Sequence, residues 1–122
     1  MFLSKPLFRA TNNSGEFELV TPCIYFSELK GRIEVTQGLI TDFASIPRVF
    51  RALVSVNGKH RLAAVVHDFL YMKKGVLPDQ NLDRSMCDRV FLEAMKVSGV
   101  PFWKRHLMYR AVRVGGWVHW KR

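Results

Sequence analysis

Two adjacent polar residues, His67 and Asp68, interrupt a run from Leu62 to Met72 in which every other side chain is apolar or aromatic. Such a run buries on folding, and burial tolerates polar groups only when something satisfies them. On a helix, steps of three and four residues stack, so Ala63, Ala64, His67 and Tyr71 share one side while Asp68 points about 100° away. The two small alanines leave room for another element to come close above the imidazole. Asp88 follows His67 by 21 positions on the next helical segment, within reach if the two segments are antiparallel neighbours. A carboxylate on one imidazole nitrogen fixes the tautomer and leaves the other nitrogen as a general base. That is an activated-water site, with His67 as base and Asp88 as its support. Asp68 points elsewhere and suits a hard cation such as calcium beside the carbonyls of a glycine-containing turn, for which Gln37 to Asp42 is the nearest candidate. Zinc held by His67, Asp68 and a third ligand is the second choice of metal.

The same residues also suit a buried network without turnover. In that reading His67 bonds Asp88 or Asp42, and Asp68 pairs with Arg48 or caps a loop. Asp88 has a cation close in sequence, Arg84, four positions earlier, so a surface ion pair is its own alternative. Ser45, ahead of Pro47 and Arg48, caps the following segment or acts as a nucleophile; no GxSxG elbow surrounds it, which favours the cap.

The elements that must position these groups fall into two halves. Residues 16–20 alternate charged and apolar, 23–26 are apolar and β-prone, and 32–36 alternate again, with turn signals at 12–15, 21–22, 30–31 and 37–38. These predict a small antiparallel sheet. Pro47 keeps residue 46 out of the helical region, so 42–58 reads as a long loop that brings Asp42 and Ser45 toward the site. Three helices follow: one from about His60 to Lys73, apolar nearly all round; one from Leu82 to Val97 with Asn81 as N-cap and Gly99 as stop; and one after Pro101 that ends before Gly115. The fold class is α+β, with an N-terminal sheet, a loop and three C-terminal helices.

At 122 residues, 48% of them hydrophobic and 24% charged, the chain has the size and composition of one globular domain over 1–122: strands to 41, loop 42–58, helices 59–114 and a basic aromatic tail 115–122. No apolar run approaches the length of a bilayer-spanning helix, and the first residues lack a secretory pattern, so residence in the cytoplasm is expected. Cys23 and Cys87, far apart and outside any CxxC, read as buried apolar residues. The net charge of +9 is uneven: 43–78 carry 6 basic and 1 acidic residue, and 101–122 carry 6 basic and none acidic. In the last segment Trp103, Lys104, Arg105, Arg110 and Arg113 combine aromatics with cations, a composition for anionic membrane, nucleic acid or a protein subunit. Trp103, Leu107 and Ala111 are expected to pack inward and the cations to be solvated.

The helix His67-Asp68-Phe69-Leu70-Tyr71, followed by a helix bearing Asp88, resembles the core of secreted and parvovirus-type phospholipases A2. That resemblance implies His67 as base, Asp68 as calcium ligand, and Asp88 with Tyr71 as support; the glycine-rich calcium loop has no counterpart beyond Gly38. A longer resemblance runs through Thr41-Asp42-Phe43-Ala44-Ser45-Ile46-Pro47-Arg48, then Ala64 to Tyr71, then Arg84 and Asp88 to Met95. It is similar to the family known as domain of unknown function 1353, with the signature TD-x-AS-x-P-R, HD-x-LY and a D-x-x-F helix. The resemblance implies a phage or prophage origin and a shared polar site of Asp42, Ser45, Arg48, His67 and Asp88. Two functions are expected on these grounds: a small His/Asp metal-assisted hydrolase, or a non-catalytic virion or assembly component that binds other phage proteins.

Overall fold

The computed structural model describes residues 1–12, 16–41, 61–78, 80–115 and 120. The loop expected over 42–58, and with it Asp42, Ser45 and Arg48, lies outside the described residues. The fold is α+β: strands β1 (Phe8–Ala10), β2 (Phe17–Leu19), β3 (Cys23–Ser27), β4 (Gly31–Val35) and β5 (Ile40–Thr41) precede helices α1 (Arg61–Met72), α2 (Arg84–Val97) and α3 (Phe102–Gly115). Among the described residues no helix is long and apolar enough to cross a membrane.

The strands form two small antiparallel sheets rather than one. β3 and β4 make a hairpin, and β1-β2-β5 make a separate three-stranded sheet. The hairpin follows the period of two: Cys23, Tyr25, Ile33 and Val35 are buried, whereas Phe26, Arg32 and Glu34 face out. Its turn is closed by the buried Ser27, whose Oγ accepts from the backbone N–H groups of Leu29 and Lys30 at 3.0 and 3.2 Å. β1 was not expected, because Phe8-Arg9-Ala10 is too short to show alternation; it pairs with β2, Phe8 opposite Leu19.

The helices supply most of the core. α1 lies against β4, and α2 against β3, α1 and α3, so α2 is the central element. Eight of the twelve α1 residues are buried, as an all-round apolar helix requires. The α1–α2 connection folds back on itself: Leu82 N–H donates to Gly75 O and Leu77 N–H to Gln80 O, both at 2.8 Å. Gly75 has φ +76°, and a Cβ there would stand 1.8 Å from the Leu82 carbonyl oxygen, so only glycine fits.

Two helix ends differ from expectation. Asn81 is held in a bridge with Val76, so α2 starts later, with Asp83 as N-cap; its Oδ1 accepts from Met86 N–H at 2.7 Å. α3 includes Gly115 instead of stopping before it. Trp103 is a third difference. Met108, Ala111 and Val112 occupy the inward side of α3, which leaves Leu107 half-buried and turns Trp103 outward, 60% exposed.

Candidate functional site

The site forms where α2 meets α1 on one side and α3 on the other. His67 and Tyr71, one turn apart on α1, present ring and hydroxyl side by side, their ring centroids 4.2 Å apart. Cys87 to Phe91 of α2 place Asp88 and Phe91 opposite them, and Phe91 covers the imidazole at 4.6 Å between centroids. His67 Nε2 lies 2.8 Å from Asp88 Oδ1, and the Tyr71 hydroxyl donates to the same oxygen at 2.5 Å. Asp88 Oδ2 accepts from Arg113 Nη1 at 2.8 Å, a side chain that reaches in from the last turn of α3. Trp120 sets its ring edge-on to Tyr71 at 5.2 Å.

Burial makes these bonds matter. Asp88 is fully buried and His67 is 1% exposed, whereas the Arg113 side chain remains 36% exposed. A buried carboxylate without partners would protonate or unfold the protein. Burial does push the Asp88 carboxyl up, but donors from His67, Tyr71 and Arg113 outweigh it and hold the group below its ordinary value. Burial and the bond to Asp88 push the Tyr71 phenol well above the usual tyrosine range, so it stays a donor. The Arg113 guanidinium is held more firmly protonated by its bond to Asp88.

The carboxylate can only accept, so His67 Nε2 carries the proton that fills the 2.8 Å gap, and in the neutral ring the lone pair sits on Nδ1. The expected grouping of His67, Tyr71 and Asp88 is therefore present. The alternative that Asp88 forms a surface pair with Arg84 is overturned, because Asp88 is buried and its cation is Arg113. Arg84 turns the other way: its Nη2 donates to the carbonyls of Arg113 at 2.6 Å and Val112 at 3.4 Å, clamping the negative end of α3. Among the described residues its buried Nε has no hydrogen-bond partner.

The remaining predicted site residues divide. Asp68 is half-buried and engaged in interactions of its own. Asp42, Ser45 and Arg48 lie outside the described residues, and among the described residues no three His, Cys, Asp or Glu side chains gather as a metal set. The tail cations are not uniformly solvated as expected: Arg113 enters the site, and Arg105 folds back over the Phe102 ring and donates to Val100 O at 3.2 Å. Lys104 is half-buried; Trp103 and Arg110 are exposed. Sequence reasoning named Arg113 as a surface binding residue and missed its place in the network. The signal available was the absence of any acid on α3, which leaves its cations to find carboxylates on another helix.

These observations define an α+β protein whose three helices converge on one buried Asp–His–Tyr–Arg network. The chain belongs to the family described as Protein of unknown function (DUF1353), whose family model matches residues 17–112. That span includes all of β2 to α2 and His67, Tyr71 and Asp88, and ends one residue before Arg113. No curated protein matches the chain significantly, and no solved structure does.

Proposed function

We propose that this protein is a small hydrolase in which His67 is the general base, acting in a phage or prophage setting. The observation that carries the reading is His67 Nε2 at 2.8 Å from a carboxylate that Tyr71 and Arg113 hold in place. With Nε2 occupied, Nδ1 is the basic nitrogen. It would take a proton from water as the oxygen attacks an ester carbonyl, and return that proton to the departing alkoxide; Asp88 stabilises the imidazolium between the two events. The setting rests on the family resemblance. The described residues do not assemble a calcium or zinc ligand set, so no step is routed through a metal.

A second reading has its own observation. Asp88 takes three side-chain donors from two other helices and His67 is 1% exposed, which suits a network that only fixes how the helices dock. One pair of measurements separates them: hydrolysis of a series of p-nitrophenyl esters and of phospholipid vesicles, beside urea melts, for wild type and His67→Gln. The hydrolase reading expects wild-type turnover that falls by about 10²-fold or more in the variant, with folding largely kept. No turnover in the wild type, together with a loss of several kcal/mol in the variant, establishes the structural network instead.

A further inference from the structure

α3 turns a face to solvent that carries aromatic, aliphatic and cationic side chains and no acid. At about 100° per residue, Trp103, Leu107, Arg110 and Val114 fall on one strip, while Met108, Ala111 and Val112 go to the core. Trp103 is 60%, Val114 78% and the neighbouring Phe102 66% exposed. Leu107 between them is half-buried; exposed large apolar side chains on one helix side, such as Trp103 and Val114, mark a contact surface. Of the four cations on the helix, Arg113 is committed to Asp88 and Arg105 to Val100 O; Arg110 stands exposed on the strip, and Lys104 is half-buried at its core-side edge.

We propose that this face docks on an anionic bilayer surface, with Trp103 and Val114 entering the boundary between headgroups and acyl chains, Arg110 meeting lipid phosphates and Lys104 reaching them from the edge of the face. Charge selects the partner's sign: α3 has no acidic residue and the chain carries +9, so an anionic surface is favoured over a second copy of the chain. The aliphatic residues select its kind. Nucleic acid stacks on Trp103 and pairs with cations, but it offers nothing to the 78% exposed Val114, which a bilayer boundary takes up. Tryptophan beside Lys and Arg on a helix lying flat is the composition that such a boundary favours.

The test is co-sedimentation of the intact protein with vesicles of phosphatidylcholine alone and of equal parts phosphatidylcholine and phosphatidylglycerol. The protein is expected to pellet only with the anionic vesicles. Trp103→Ser with Val114→Ser, and separately Lys104→Gln with Arg110→Gln, are each expected to weaken binding about tenfold or more while thermal melts stay within a few degrees of wild type. Wild-type binding is read apart from ester turnover, and His67→Gln is compared only where urea melts show it folded, which separates this surface from the hydrolase reading: either can fail alone. No pelleting on anionic vesicles overturns the proposal. So does binding that survives loss of Trp103 and Val114, which reduces it to diffuse adsorption of a basic protein. Retention of oligodeoxythymidylate or polyglutamate with no affinity for vesicles assigns the face to nucleic acid or an acidic protein and overturns it equally.

Discussion

Asp88 is one carboxylate with two differently committed oxygens, Oδ1 to α1 and Oδ2 to α3. Asp88→Asn keeps the shape but removes the charge that answers Arg113 and leaves an NH₂ group on one of two sides that both face donors. We expect a loss of about 3 kcal/mol, read from urea denaturation. The pH dependence has a definite sign. The carboxyl is held below its ordinary value in the folded state, so its contribution is present above the unfolded value of about 3.9 and is lost as pH falls through the lower, folded value. Acid denaturation of wild type should therefore be steeper below about pH 4 than that of Asp88→Asn, and equal slopes there would contradict it. The His67–Asp88 pair was legible in sequence because polar residues stranded on an apolar helix demand partners, whereas the supporting place of Tyr71 came from the resemblance to phospholipases A2. Arg113 was not, because Arg84 was the cation nearest to Asp88 along the chain and only the docking of α3 shows that it faces elsewhere.

Helix existence was legible from periodicity, while the ends depended on contacts between segments. Asn81 and Asp83 are both good caps by type, and the backbone bridge from Asn81 to Val76 decides between them. Asp83→Ala should accordingly cost about 1 kcal/mol in thermal or chemical melts, and Asn81→Ala much less. The turn before α2 is more severe. At Gly75 an alanine meets both a left-handed backbone and the Leu82 carbonyl, so Gly75→Ala should cost at least about 1–3 kcal/mol and shift the α1–α2 connection, visible as altered amide resonances around residues 73–83. The separation into two sheets was invisible in the alternation of residues 16–41, because alternation gives the faces of strands and not which strand pairs with which.

Across the molecule, sheet and helices are tied by more than apolar packing. The buried Tyr25 of β3 donates its hydroxyl to Glu93 of α2 at 2.5 Å, a link between residues 68 apart that no local pattern announces. Cys23 and Cys87 sit in the same core as separate free thiols, and burial pushes them up to about 11 and about 12. Neither should react with Ellman's reagent at about pH 8 in the native protein, and both should react in denaturant, so thiol labelling reports global opening. Rapid native labelling of either thiol would show that the core opens locally. The Asp88 network also bears on how the chain is made. Its acceptor belongs to the second helix and its guanidinium donor to the last turn of the third, so during synthesis the carboxylate is complete well before Arg113 leaves the ribosome. Until then α1 and α2 can pair Asp88 Oδ1 with His67 and Tyr71, while Oδ2 keeps water in place of the guanidinium. A chain stalled before residue 113 should remain loosely docked and open to protease, and release of the final helix should close the core in one step.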